Sequence, residues 1–187
     1  MSMTTDVKLI SRKRRDEGNM IAEIESKILA CNLTFTKKPI IIGGKAMEFY
    51  GMRKGADIDL VVCNEDYEKI SAKHPDNRKD IWGDLGVAIE DIELWRSIHF
   101  FDYEFFLKDA IGHSSMLIIS LDRLLFTRSL MVNCVSEVTK RKEDFENIIQ
   151  YYHDNLKNQE FYDNAKPHFD LYKSVPNGTI LSGAYEQ

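Results

Sequence analysis

Ile40-Ile41-Ile42-Gly43-Gly44, followed after a short spacer by Asp57-Ile58-Asp59-Leu60-Val61-Val62, is the stretch that decides the fold of this chain. Pro39 introduces three consecutive isoleucines, and an apolar run ended by paired glycines predicts a buried strand entering a tight turn. Ala46, Met47, Phe49 and Tyr50 then suit a short helix closed near Gly51. A second strand is expected from Ala56 to Val62. Alternation puts Ile58, Leu60 and Val62 on one face and Asp57 and Asp59 on the other.

Two carboxylates at i and i+2 on a strand project side by side, and their repulsion is unfavourable unless water or a cation screens it. Here the neighbours Ile58, Leu60, Val61 and Val62 are apolar, which sharpens the conflict. A divalent cation resolves it, and Mg²⁺ suits hard oxygen ligands accompanied by phosphate. Gly43 and Gly44 let the backbone turn sharply and let a phosphate approach the amides, while the helix start offers unpaired N–H groups. Lys45, Arg53 and Lys54 are the candidate phosphate-neutralising residues, although such lysines and arginines are more often surface charges. A plainer alternative places the two aspartates on the solvent face of an edge strand, but it leaves the glycine turn unexplained.

Working outward from this centre, residues 5–31 predict an amphipathic helix with Ile21, Ile24, Ile28 and Leu29 on one side. Asn64 is positioned to cap a helix that follows the second strand, with Tyr67 and Ile70 as its apolar contacts. The stretch His74–Asp84 is polar and turn-rich. Gly86–Ser97 alternates again and predicts a third strand, with Ile92 and Leu94 on one side and Asp91, Glu93 and Trp95 on the other. Met116–Ile119 predicts a further short strand. After Ser120 the period changes, and two helices are expected, then a third over roughly 159–173 and a tail. The expected fold class is α+β, a small mixed β-sheet flanked by helices with a helical C-terminal part. The expected organisation is a core over 1–119 and a helical extension over 120–187, packed as a single compact unit.

Composition narrows the function classes. A net charge of -5 argues against a chain wrapped in nucleic acid, and the basic run Arg12-Lys13-Arg14-Arg15 reads better as a solvated face. The three cysteines, Cys31, Cys63 and Cys134, are too far apart for a CxxC motif and predict buried free thiols. Five scattered histidines give no zinc pattern. No apolar run is long enough to span a bilayer and no signal-peptide core is seen, so a cytoplasmic protein without a membrane partner is expected. Trp95 is expected as a packed tryptophan beside a surface Arg96. For most of Arg128, Lys140, Arg141, Lys142 and Asp144 a solvated helix face is expected.

The pattern Ile42-Gly43-Gly44 … Asp57-Ile58-Asp59-Leu60 resembles the signature of the nucleotidyltransferase superfamily, with its DNA polymerase beta-like fold. Residues 40–62 carry the clearest match, and Tyr50-Gly51-Met52-Arg53-Lys54 is similar to the linker in small bacterial and phage members, including toxin–antitoxin types. The looser resemblance covers residues 20–150. It implies a third carboxylate on a later strand, for which Glu93 is the best match, Asp91 the reserve and Glu90 out of register. Asp57, Asp59 and Glu93 would then be both catalytic residues and ligands for two Mg²⁺ ions. Gly43, Gly44, Lys45, Arg53 and Lys54 would bind the nucleoside triphosphate. The implied activity is transfer of a nucleoside monophosphate to an acceptor, a protein or tRNA in preference to a small molecule. One departure matters: many relatives have Ser where this chain has Gly44. That favours, as the alternative, a catalytically inactive nucleotide- or partner-binding module of the same fold.

Overall fold

The computed structural model describes residues 18–81, 83–131 and 138–155. The chain divides into two compact units, Met1–Ile118 and Ile119–Gln187. The first is an α+β unit built on a mixed sheet. Its described elements begin with helix α1 over 18–30. Then come β1 (Ile40–Ile41), α2 (Gly43–Phe49), β2 (Ile58–Val61) and α3 (Asn64–Lys73). They continue with β3 (Arg78–Ile81), β4 (Asp84–Ile89), β5 (Ile92–Trp95) and the small hairpin β6 (Ser97–Ile98) and β7 (Phe101–Asp102). The unit closes with α4 (Tyr103–Leu107), β8 (Ile111–Gly112) and β9 (Leu117–Ile118).

Seven strands form the main sheet in the order β3-β4-β5-β2-β1-β9-β8. The pairs β2·β5 and β1·β9 are parallel, and the others are antiparallel. Position in the sheet explains the apolar runs. Strands β1 and β2 lie inside it, and Ile40, Ile41, Ile58, Leu60 and Val61 are all fully buried. Burying each such side chain contributes about 1.5–3 kcal/mol. Helix α2 packs against β2, α3 against β4 and α4 against β1.

Several expectations are corrected. The stretch 86–97 is not one strand: Glu90 and Asp91 turn the chain, Glu90 at φ 53°, so that β4 and β5 form a hairpin. The polar segment before it is also a strand, β3, whose edge position and exposed faces remove the need for apolar alternation. Leu29 is 77% exposed, so the apolar side of α1 consists of Met20, Ile21 and Ile24, with Ile28 half-buried. Residues 5–17 lie outside the described part. Asn64 is the first residue of α3 and Cys63 its N-cap, without a side-chain capping bond. One of the two acids in the first turn, Asp66, instead reaches back to the segment before β1. It accepts from the Thr36 amide at 2.9 Å, the Thr36 hydroxyl at 2.9 Å, the Lys37 amide at 3.3 Å and the Cys63 thiol at 3.1 Å. Cys63 is buried and Cys31 half-buried, both free, and Cys134 lies outside the described residues.

The second unit contains α5 (Leu121–Met131) and α6 (Val138–Asn155), packed on one another as the change of period after Ser120 predicts. Arg128 and Asp144 are not on a solvated face: both are buried, with Nε and Oδ2 3.7 Å apart. The expected third helix and tail fall outside the described residues. Among those described, no helix is long and apolar enough to cross a membrane.

Candidate active site

The register of two parallel strands brings the acidic candidates together. Asp59 on β2 pairs with Glu93 on β5, in the same ladder that pairs Ile58 with Ile92 and Leu60 with Leu94. Because side chains alternate along a strand, register partners share a face, and neighbouring strands lie about 4.8 Å apart. Two carboxylates therefore stand side by side on a sheet whose next residues, Ile58, Leu60, Ile92 and Leu94, are fully buried. Asp57 lies just before β2, in a bend, and is exposed. Asp91 lies in the β4–β5 turn and pairs with Lys27 of α1. That bond holds the Asp91 carboxyl below its ordinary value, against a smaller upward push from burial.

Gly43 adjoins the carboxylates directly. The chain leaves β1 through Ile42, whose amide donates to the Asp59 carbonyl at 3.0 Å, and Gly43 follows at φ +63°. A Cβ at this position would overlap Asp59 Oδ2 and lie 3.2 Å from Cγ. So two requirements coincide at Gly43, a left-handed backbone and a carboxylate occupying the space of its missing side chain. Helix α2 ends just as firmly. The Gly51 amide donates to the Glu48 carbonyl and the Met52 amide to the Met47 carbonyl, both at 2.9 Å, in a Schellman closure.

The basic candidates are placed differently from one another. Lys45 is only 4% exposed, and its ammonium pairs with Glu48 at 3.0 Å and with Glu23 of α1 at 3.4 Å. Glu48 also accepts the Gly55 amide at 3.1 Å. Arg53 donates from Nη1 to the Lys54 carbonyl at 3.0 Å, and its guanidinium nitrogens would lie 3.4 and 3.9 Å from a Cβ on Gly44. Lys54 is exposed. The close approach that Gly44 permits is one of backbone to backbone: a Cβ on Gly55 would meet the Gly44–Lys45 peptide at 2.5–2.7 Å.

Three contributors were not singled out by the sequence. Gly55 and Glu48 fasten the loop after α2 to its first turn, and only the Lys45–Glu48 spacing of three signalled any of this. Lys79, in a segment taken for a loop, pairs with Glu93. Trp95 is buried and Arg96 exposed, as expected.

Among the described residues no three His, Cys, Asp or Glu side chains converge on one metal-binding point. The acidic pair nevertheless fits Mg²⁺, which binds through one or two carboxylates and keeps waters and substrate oxygens for the rest of its shell. Asp59, set against Gly43, and its register partner Glu93 would be such donors.

No protein-family model and no curated protein matches the chain in sequence. Among solved structures, the chain resembles the crystal structure of an antigenic nucleotidyltransferase-like protein from Paracoccidioides brasiliensis. The likeness has a TM-score of 0.38 and 13% sequence identity, and covers 92% of this chain and 98% of that one.

Proposed function

We propose that this chain is a metal-dependent nucleotidyltransferase that moves a nucleoside monophosphate from a Mg²⁺-bound nucleoside triphosphate to an acceptor hydroxyl. The observation that carries the reading is the register pairing of Asp59 with Glu93, beside a glycine that leaves room for the Asp59 carboxylate. A plain edge strand has no use for that arrangement, and β2 lies in the interior of the sheet.

Asp59 and Glu93 would hold the metal, and Asp57, exposed just before the strand, would add negative charge at its approach. Bound Mg²⁺ would neutralise charge on the triphosphate and on departing pyrophosphate. The chain's own groups do the remaining work. Glu93 receives the acceptor proton. The acceptor oxygen forms a bond to the α-phosphorus, the α–β bridging P–O bond breaks, and pyrophosphate leaves with the electron pair. A protein side chain or a tRNA end is the favoured acceptor, on the resemblance to compact members of the superfamily.

A second reading, a module that binds nucleotide without turnover, draws on the inward pairing of Lys45 and on Gly44 in place of a hydroxyl-bearing residue. One experiment separates the two. The purified protein is incubated with each α-labelled triphosphate, Mg²⁺ and cell lysate, beside the double variant Asp57→Ala/Asp59→Ala. Label transferred by the wild type alone supports the enzyme, and the acceptor is read from its added mass. Transfer retained by the double variant would sink the assignment of the aspartates. Saturable triphosphate binding without transfer would favour the binding module.

A further inference from the structure

Lys79 reaches Glu93 from two strands away. The register sets Lys79 opposite Gly86, Gly86 opposite Trp95, and Ala88 opposite Glu93. Between Lys79 and Glu93 the intervening strand thus offers a glycine and a methyl group, and the lysine stem can cross it. The Trp95 ring lies over the same glycine: a Cβ on Gly86 would come within 2.7 Å of it. Lys79 Nζ ends beside the Glu93 carboxylate, 6.0 Å from the Trp95 ring centroid. The lysine and glutamate side chains keep 35% and 31% of their surface in solvent, so the pair is reachable from outside.

Two other lysines of this unit pair with other acids. Lys45 is buried between Glu48 and Glu23, and Lys27 pairs with Asp91 and Glu23. Lys79 pairs directly with Glu93.

We propose that Lys79 is a phosphate-binding cation of this site, its ammonium passing from Glu93 to the phosphate chain of a metal-bound nucleoside triphosphate. The proposal rests on the nucleotide-site reading above and deepens it. A part-exposed lysine–carboxylate pair is worth little, so its exchange for a polyanion carrying several charges is favourable. A flexible four-carbon stem permits that exchange, while the Trp95 face keeps the ammonium near the carboxylates whichever anion it contacts.

The test uses the full chain and two probes, Mn²⁺ alone, followed by electron paramagnetic resonance, and each Mg²⁺–nucleoside triphosphate, followed by calorimetry. Lys79→Met, which keeps the apolar stem, is expected to weaken binding of the preferred triphosphate about tenfold, the loss of one charge-assisted contact. Mn²⁺ alone is expected to bind as well or tighter, because Glu93 loses an internal competitor. Lys79→Arg should recover most of the triphosphate affinity. Two outcomes overturn the proposal and leave the nucleotide site standing. In one, Lys79→Met binds triphosphate like the wild type while Asp59→Asn does not. In the other, Lys79→Met loses Mn²⁺ and triphosphate in equal proportion, which marks Lys79 as a mere support for Glu93. A wild-type protein that binds neither probe would remove the site and this role together.

Discussion

Gly43 and Asp59 are packed so closely that a side chain on the first would displace the carboxylate of the second. Gly51 provides a matched control, since it also has a positive φ, +77°, but has open space where a Cβ would go. At both positions alanine is strained by about 1–2 kcal/mol for the left-handed backbone. Gly51→Ala is therefore expected to show that loss in chemical denaturation and nothing more. Gly43→Ala should lose more stability and should also lose Mg²⁺-dependent triphosphate binding. Equal losses in the two variants, with binding intact in both, would mean that the contact with Asp59 has no functional weight.

The pairing of Asp59 with Glu93 makes a separate, label-free prediction. A ligand that binds only the folded state stabilises it by about 2.7 kcal/mol at a hundredfold excess over Kd. For a chain of this size that corresponds to a rise in Tm of roughly 5–10 °C. Mg²⁺ with triphosphate is expected to raise the Tm of the wild type by this order, and to leave that of Asp59→Asn or Glu93→Gln nearly unmoved. Asp57→Asn should retain part of the rise, because Asp57 is exposed and precedes the strand. A shift as large in Asp59→Asn as in the wild type would argue that the ligand sits elsewhere.

Much of this site was legible because it depends on local periodicities. The alternation in Asp57–Val62 put Asp59 on the face opposite Ile58 and Leu60, and that in Gly86–Ser97 put Glu93 opposite Ile92 and Leu94. The hairpin was illegible because its turn is Glu90-Asp91, without the glycine or asparagine that usually announces a positive φ. Strand β3 reads Arg-Lys-Asp-Ile, polar because it is an edge, so the lysine that reaches Glu93 lay in an apparent loop. The inward pairing of Lys45 with Glu23 depends on where α1 returns in space, which sequence spacing does not encode.

Lys45 links three parts of the first unit, α1 through Glu23, α2 through Glu48, and the following loop through the Gly55 amide on Glu48. Its ammonium is nearly buried while its partners are part-exposed, so the pairing lies between the surface and buried limits. Lys45→Met is accordingly expected to cost about 1–3 kcal/mol, measured by urea denaturation. Glu48→Gln, which keeps an acceptor for Gly55, should cost less. Triphosphate affinity measured well below the Tm should change little in Lys45→Met. A selective loss of affinity with unchanged stability would show instead that Lys45 contacts phosphate.

Asp66 supplies the pH dependence. Burial by itself pushes its carboxyl up, but the Thr36 amide, the Cys63 thiol, the Thr36 hydroxyl and the Lys37 amide together outweigh it and hold the group below its ordinary value. A carboxylate with a depressed folded-state pKa binds its proton more readily when unfolded. Its contribution to stability is therefore complete above the unfolded pKa of about 3.9 and is lost as pH falls from there through the lower folded value. The wild type should lose stability over this acidic window, and Asp66→Asn should lose less of it. At neutral pH the same variant should be weaker by about 1–3 kcal/mol, because an amide nitrogen would face a donor that the carboxylate accepts. Unfolding free energies measured from pH 7 down to about pH 2 for both proteins test this. Parallel curves would assign the acid sensitivity to other carboxylates; convergence toward low pH would assign it to the bonds that tie α3 to the segment before β1.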